Sequence, residues 1–240
     1  MTEYVGVDGC RAGWFAVSLS ATGSWRFDVH ADFVSVWARY EDARIILVDI
    51  PIGLVESGQD GRQCDTIARR YLGRVRASSV FTPPARPATA APDRLLASAI
   101  NKRLTGRGIT IQSWAITPKI REVDRLLRKN KKARGMVREV HPELLFWALN
   151  GRRAMVNRKS RLIGYEERLT VLRQSFGPTK EIADAALAGY RRSVVARDDI
   201  LDALVAAITG YLGNGQLSTI PDDVPTDAYG LPMEMAYFLP

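Results

Sequence analysis

Cysteine, histidine and long apolar runs are scarce in this sequence, and each scarcity excludes a class of protein. The two cysteines, Cys10 and Cys64, are too few for a disulfide framework, and they form no C-x-x-C pair. With only His30 and His141 as imidazoles, a structural zinc cluster is excluded as well. The sequence has no N-terminal signal-peptide pattern and no apolar run long enough to span a bilayer. It therefore predicts a cytoplasmic protein with no membrane partner.

The bulk composition is that of a globular protein with a basic charge balance. Hydrophobic residues make up 46% of the 240 residues and charged residues 25%, which excludes an intrinsically disordered chain. The length favours one large domain with enough material for a core. A formal net charge of +8 favours a polyanionic partner, above all DNA or RNA.

The first fifty residues have the periodicity of strands. Three short runs rich in aromatic and β-branched residues begin at Tyr4, Trp14 and Trp25, and turns separate them, which predicts two consecutive hairpins. A short helix with Asp32 as its N-cap follows. The apolar run 45–48 predicts a strand buried on both faces. Together these elements predict a mixed sheet with a helical layer.

The rest of the chain is mainly helical in pattern, with one short strand predicted at 136–140. The proline-rich segment 78–87 is predicted as a surface loop. Pro118 is expected in the first turn of its helix or at a kink, and the last twenty residues are expected to form an extended tail. The predicted helices cover 63–72, 93–105, 114–130, 142–150, 159–174, 180–190 and 198–212.

Acidic residues at the ends of separate predicted elements are the most informative feature of the chain. Asp8 closes the first strand, Asp49 closes the buried strand, and Glu139 lies in the later one. Asp199 and Asp202 lie on one side of the last helix, because they are three residues apart. A carboxylate at the end of a buried strand is desolvated unless a cation meets it. Several such carboxylates suit a divalent metal that takes part in phosphate chemistry.

Most of these acidic positions also have a structural interpretation. Asp8 can be a turn residue that accepts hydrogen bonds from the following amides, although the glycines beside it also suit close approach of a phosphate. Asp199 can be the N-cap of its helix, but capping needs only one residue and leaves Asp202 unexplained. Glu143 is explained as a first-turn helix glutamate, whereas Glu139 has no such explanation.

Longer strings of this sequence resemble one protein family. They are VGVDGCRAGW, DIPIGL, RQCDTIARRYLG, SSVFTPPAR, EVHPELLF, GYEERL and DDILDALVAA, and together they cover most of the chain. They resemble an uncharacterised bacterial family of predicted nucleases with a ribonuclease H-like fold, the domain of unknown function 429. The pair Asp199-x-x-Asp202 is also similar to the helix pair of Holliday-junction resolvases. Resolvases carry a glutamate on the fourth strand, where this chain has Asp49.

The resemblance implies an α/β fold with a ribonuclease H-like mixed five-stranded sheet flanked by helices. It implies a single domain over residues 1–240, with helical insertions at about 60–132 and 142–195. His141 is the one histidine near an acidic cluster, and it can move a proton or orient the substrate. The resemblance also implies Mg²⁺ or Mn²⁺ as the cofactor, with these candidate ligands: Asp8, Asp49, Glu139, Asp199 and Asp202.

Cationic residues near these motifs are the predicted substrate contacts. A dense run at 125–138 leads into Glu139 and is either a solvated helix face or a surface that steers phosphate, and we expect it to flank the acidic site. A second cluster at 152–161 lies beside a predicted flexible loop. The candidate substrate-binding residues are Arg11, Arg86, Lys119, Lys129 and Lys132.

Three functions remain open at this point. The leading hypothesis is a divalent-metal-dependent nuclease that hydrolyses phosphodiester bonds in DNA or RNA. The second is a nucleic-acid-binding or scaffold protein without catalysis, although clustered carboxylates without a cation argue against it. The third is a nucleotide phosphotransferase like the actin and sugar-kinase relatives of the fold. Those enzymes pair two such domains, whereas this chain has the signals of one.

Overall fold

The computed structural model describes residues 2–240 and is built around a five-stranded mixed sheet. The strands are β1 (Glu3–Cys10), β2 (Gly13–Ser20), β3 (Trp25–His30), β4 (Ile45–Val48) and β5 (Val137–Glu139). Their order in the sheet is β3-β2-β1-β4-β5. The first three form an antiparallel meander, whereas β4 is parallel to β1 and β5 is parallel to β4. This arrangement matches the α/β, ribonuclease H-like sheet that the sequence predicts.

Ten helices lie among the described residues. They are α1 (Phe33–Tyr40), α2 (Gln63–Arg76), α3 (Arg86–Thr89), α4 (Arg94–Thr105), α5 (Ile111–Lys129), α6 (Lys131–Met136), α7 (Pro142–Leu149), α8 (Leu162–Ser175), α9 (Thr179–Gly189) and α10 (Arg197–Leu212). Asp32 accepts a hydrogen bond from the Ser35 amide at 2.7 Å, which confirms the predicted N-cap of α1. Between residues 2 and 240, no helix has both the length and the apolar character needed to cross a membrane.

The sheet separates two layers of apolar side chains, and β1 contributes to both. Tyr4 packs into the layer beneath α7, α8, α9 and α10, whereas Val5 packs into the layer beneath α1 and α5. This alternation follows from the period of two in a β-strand. Because both faces of the sheet are covered, a charged side chain at its edge is also largely removed from water.

α10 packs directly on the backbone of β1. A Cβ atom on Gly6 would lie 2.0 Å from the carbonyl oxygen of Ala203 and 2.2 Å from the amide nitrogen of Ala207, so this contact requires glycine. Further along α10, Gly210 lies beside the side chain of Tyr4. The helix therefore runs antiparallel to β1, and its first turns lie over the carboxyl end of that strand.

The predicted surface loop at 78–87 is wrong for its second half. Residues 83–86 are buried, and Arg86 begins the short helix α3. The Arg86 guanidinium forms ion pairs with Glu56, Asp124 and Asp227, which hold this segment against the protein. Proline content alone did not reveal this anchoring, because ion pairs between distant residues leave no local sequence pattern.

The predicted extended tail is also only partly correct. Strand β7 (Met235–Tyr237) lies within the last twenty residues and pairs antiparallel with β6 (Ser218–Ile220). Ala236 is fully buried. These strands were not recognised in the sequence, because they are short and carry no clear alternation of apolar and polar residues.

Pro118 lies inside α5 rather than in its first turn. The helix begins at Ile111 because Thr110 caps it, and the Thr110 hydroxyl accepts a hydrogen bond from the Ser113 amide at 3.0 Å. A proline nitrogen carries no hydrogen, so the carbonyl of Trp114 has no helical donor at this point. Most of the stability of α5 therefore comes from packing of its buried face and not from an unbroken hydrogen-bond ladder.

Candidate metal centre

Three of the predicted acids, Asp8, Asp49 and Asp202, meet at the carboxyl edge of the sheet. One ligand oxygen from each lies within 4.8 Å of the others. β1 and β4 are parallel neighbours, and Val7 pairs with Val48. The residues that follow these two, Asp8 and Asp49, therefore lie side by side at the same edge of the sheet. Because α10 packs on β1, its Asp202 lies close to these two aspartates.

These three carboxylates, called the acid cluster below, lack sufficient positive charge. Asp8 is 8% exposed and Asp202 is 1% exposed. Burial, then repulsion by Asp49 and Asp202, raises the pKa of Asp8 well above its usual value. Burial and the charge of Asp202 raise the pKa of Asp49 to about 8. A cation between the three acids would relieve this repulsion.

The acid cluster fits the metal that the family resemblance implies. Oxygen Oδ1 of Asp202 is buried and has no hydrogen-bond partner among the described residues. An orphaned buried carboxylate oxygen is costly unless a cation or a water meets it. All three donors are carboxylate oxygens, which suit Mg²⁺ or Mn²⁺ better than they suit soft metals. Asp8, Asp49 and Asp202 are therefore the residues that would hold such an ion.

Asp199 lies one turn before Asp202 but has a different role in the structure. Its Oδ2 atom accepts a hydrogen bond from the Ala196 amide at 2.8 Å and so caps α10. Burial raises the pKa of Asp199 to about 6. The structure therefore brings Asp199 near the acid cluster but not into the group of three.

Glu139 is paired with an arginine and does not join the acid cluster. The Arg62 guanidinium donates hydrogen bonds to both carboxylate oxygens of Glu139 and also to Asp65, and Glu139 further accepts the Ile52 amide. Burial raises the pKa of Glu139 to about 7, although Arg62 favours the charged form. Cys64, Asp65 and Glu139 lie close enough to form a second metal-like group, but Arg62 already supplies its cation.

Lys159 is the residue of this region that the sequence interpretation missed. Its ammonium group donates a hydrogen bond to Oδ2 of Asp202 and lies 3.8 Å from a carboxylate oxygen of Asp198. Burial lowers the pKa of Lys159, but Asp202 and Asp8 outweigh this effect and raise it above its usual value. In the sequence, Lys159 is only one member of the cationic cluster at 152–161, and no local signal separates it from its neighbours.

A cavity of about 280 Å³ is lined by two acids of the cluster, Asp8 and Asp49, and by Lys159. His141 lines it, and its Nε2 atom lies 3.2 Å from the Ser79 carbonyl oxygen, while Nδ1 is buried without a partner. Burial lowers the pKa of His141, which favours the neutral imidazole. Lys119 also lines the cavity, donates a hydrogen bond to the Gly13 carbonyl and lies over the Trp14 ring.

The other residues predicted to contact the substrate do not line the cavity, and two of them are engaged in ion pairs. Arg11 is exposed in the turn between β1 and β2, near the same edge as Asp8. Arg86 forms ion pairs with three carboxylates of the protein itself. Lys129 is exposed near the end of α5, and Lys132 pairs with Asp42, which precedes β4.

The cationic run at 125–138 therefore does not flank the acid cluster, which corrects the sequence-based expectation. β5 is parallel to β4, so the residues before β5 lie at the amino edge of the sheet. The acid cluster lies at the opposite, carboxyl edge. Only Arg138 of the run lies within β5 beside Glu139, and the other cationic residues of the run precede the strand, so the length of β5 separates them from the acid cluster.

The pKa of Asp49 leads to a prediction about pH. Its folded pKa of about 8 lies above the value of 3.8 expected in the unfolded chain, so the folded state binds more protons between these values. Ionisation of Asp49 therefore destabilises the metal-free protein as the pH rises from about 4 to about 8. We expect the variant Asp49→Asn to gain stability relative to the wild type over this range, in the presence of a chelator. Chemical denaturation at several pH values measures the difference, and a pH-independent difference would contradict the prediction.

Comparison with known proteins shows which family the chain belongs to. No curated protein and no solved structure matches the chain. A family model described as "Protein of unknown function (DUF429)" matches residues 6–226, which include Asp8, Asp49, Lys159 and Asp202. This match covers most of the 240 residues. The chain therefore belongs to the DUF429 family of proteins of unknown function.

Proposed function

We propose that this protein is a divalent-metal-dependent nuclease that hydrolyses phosphodiester bonds in DNA or RNA. The observation that carries the proposal is the acid cluster, in which Oδ1 of Asp202 is buried and unpartnered. A structural role does not explain it, because three carboxylates with one lysine as their partner destabilise a metal-free fold. Mg²⁺ or Mn²⁺ is the proposed cofactor.

The residues around the cavity supply complementary roles in this chemistry. Asp8, Asp49 and Asp202 would hold the ion. A bound Mg²⁺ or Mn²⁺ would polarise a phosphate oxygen and lower the pKa of a bound water. His141 has a free ring nitrogen that can accept a proton or a hydrogen bond during hydrolysis. Lys119 adds positive charge at the cavity wall, where a phosphate would bind.

The shape of the site favours a single strand or a chain end over a continuous duplex. Asp8 and Asp49 line a cavity of about 280 Å³ rather than a broad flat surface. A volume of this size is close to the lower limit of small-ligand sites, and it suits one nucleotide unit. The cationic run that would track a duplex backbone lies at the opposite edge of the sheet.

A cleavage panel tests the proposal. Labelled single-stranded, duplex, hybrid and branched DNA and RNA are incubated with Mg²⁺ or Mn²⁺, and nucleotide hydrolysis is measured in parallel. We expect cleavage that depends on metal, is lost with a chelator and is fastest on single strands. Binding without cleavage of any member would support the scaffold alternative. Nucleotide hydrolysis without cleavage of any polymer would support the phosphotransferase alternative.

Asp184→Asn is the matched control in this panel. Asp184 is exposed on α9 and pairs with Lys180, so its replacement removes the same charge away from the cavity. We expect this variant to retain the cleavage rate of the wild type. A loss of cleavage in Asp184→Asn would mean that net charge, rather than the acid cluster, governs the activity.

A further inference from the structure

Lys159 is the cation that the fold itself directs at the acid cluster. Among the described residues, it is the only lysine, arginine or histidine within 4.0 Å of a carboxylate oxygen of Asp8, Asp49 or Asp202. Of the acids near the cluster, two glutamates have other partners, whereas Asp198, which is partly exposed, also lies 3.8 Å from the Lys159 ammonium. Glu139 pairs with Arg62, and Glu143 pairs with Arg168. The positive charge at the acid cluster therefore comes from this one side chain.

The loop between α7 and α8 holds Lys159 in place. The two carboxylate oxygens of Glu167 accept the amides of Val156 and Asn157 at 2.7 and 2.8 Å. Arg168 is buried and donates a hydrogen bond to the carbonyl of Asn157 at 3.0 Å. These bonds fix the backbone just before Lys159, so its ammonium group reaches the acid cluster from a preorganised position.

Helix α8 also packs closely against the backbone of the same loop. A Cβ atom on Gly164 would lie 2.1 Å from the carbonyl oxygen of Arg158, so only glycine lets the helix approach the residue next to Lys159. The Lys159 side chain is still 39% exposed, and it lines the cavity. This combination of an anchored backbone and access to the cavity distinguishes Lys159 from a surface lysine.

The charges of the acid cluster and of Lys159 favour a single divalent ion. When ionised, Asp8, Asp49 and Asp202 carry three negative charges, and the Lys159 ammonium carries one positive charge. The remaining two negative charges are neutralised by one divalent cation. Without Lys159, one divalent cation would leave a buried negative charge uncompensated, and a second cation would be favoured.

We propose that Lys159 takes the place of a second metal ion, so that the site binds one divalent cation and Lys159 contacts the phosphate of the substrate. An ammonium group has three N–H donors, and Asp202 accepts one of them, so others remain for a phosphate oxygen. In this role Lys159 balances charge on the substrate during hydrolysis. The proposal rests on the nuclease function and adds the composition of its metal site.

The test measures Mn²⁺ stoichiometry and affinity by calorimetry in the wild type, Lys159→Met and Lys159→Arg. We expect one Mn²⁺ per chain in the wild type. In Lys159→Met we expect either a second Mn²⁺ or binding of the first at least about tenfold tighter, because a competing cation has left the acids. Lys159→Arg keeps the charge and should keep the wild-type stoichiometry. Circular dichroism and thermal melts establish that each variant is folded.

Cleavage rates of the same proteins provide the second measurement. Lys159→Met should bind metal at least as well as the wild type and yet lose at least about tenfold in kcat, because it lacks a donor to the phosphate. Lys180→Met is the matched control, since Lys180 pairs with Asp184 on the exposed face of α9. It should change neither quantity.

The possible outcomes separate this inference from the nuclease proposal. Two Mn²⁺ ions in the wild type, or none until Lys159 is replaced, overturn the one-metal site. One Mn²⁺ with the same affinity and kcat in the wild type and Lys159→Met also overturns the inference, but leaves the nuclease proposal standing. Absence of Mn²⁺ binding in every protein overturns the nuclease proposal and this inference with it.

Discussion

Replacing Asp8 with asparagine is expected to abolish metal-dependent cleavage while stabilising the metal-free protein. Asp8 is buried, and its Oδ1 accepts only the amide of the adjacent Gly9 at 2.7 Å. An amide side chain is nearly the same size but removes the repulsion by Asp49 and Asp202. About 1 kcal/mol of relieved repulsion would raise the metal-free Tm by about 2–4 °C in a domain of this size.

The same variant should lose its response to metal. Mn²⁺ stabilises the wild type because it binds the folded state and has no preformed site in the unfolded chain. Without Asp8 the ion loses a ligand, so the Tm of Asp8→Asn should not rise with Mn²⁺. We expect cleavage to fall by at least about 10²–10³-fold, as when one preorganised charge-stabilising group is removed from other active sites. Thermal melts with and without Mn²⁺, together with cleavage rates, measure both effects.

Asp202 provides an informative contrast to Asp8. Because Asp202 pairs with Lys159, Asp202→Asn should lose metal binding without the gain in metal-free stability. The sequence predicted the same role, that of a metal ligand, for both aspartates, whereas the structure predicts different effects on stability when each is replaced. If Asp8→Asn instead melts below the wild type and the wild type ignores Mn²⁺, the acid cluster is structural and the scaffold alternative is favoured.

Replacing Arg62 with methionine is expected to cause the largest loss of stability in this region. The Arg62 side chain is 1% exposed and forms ion pairs with two buried carboxylates, Asp65 and Glu139. Removing one partner of a buried ion pair costs about 3–5 kcal/mol, because it leaves uncompensated buried charge. This corresponds to a fall in Tm of about 6–20 °C. The loss should be smaller at pH 5 than at pH 8, because a protonated carboxyl group needs no counter-charge.

Two further variants identify the cause of that loss. Arg74→Met lies on the same helix in an exposed position and should have little effect. The double variant Arg62→Met with Glu139→Gln should recover part of the stability, because the glutamine is uncharged. A double variant no more stable than Arg62→Met alone would show that lost packing of the arginine stem, and not buried charge, is the cause.

Much of the fold could be predicted from the sequence, because the information is local. Strand and helix patterns depend on neighbouring residues, and the five strands and most helices were found within a few residues of their bounds. The meeting of Asp8 and Asp49 needed one more fact, which the structure supplied: their strands are parallel neighbours and end at the same edge of the sheet. Asp202 could be included because it is an acid on an otherwise apolar helix face.

The partners of these acids could not be predicted in the same way. Lys159 lies 43 residues before Asp202, and Arg62 lies 77 residues before Glu139, with no periodicity that links them. The same reason explains the cationic run, which is adjacent to Glu139 in the sequence but lies across the length of a strand from the acid cluster.

The sequence by itself determined the five strands of the main sheet, most of the helices and the positions of the acids, because these depend on short-range patterns of apolar and polar residues. Only the tertiary structure decided which acid meets which cation. It separated Glu139, which Arg62 neutralises, from Asp8, Asp49 and Asp202, whose negative charge exceeds the charge of Lys159. The physical reason is that charge compensation depends on distances of a few ångströms between residues far apart in the chain, and these distances exist only once the core has packed.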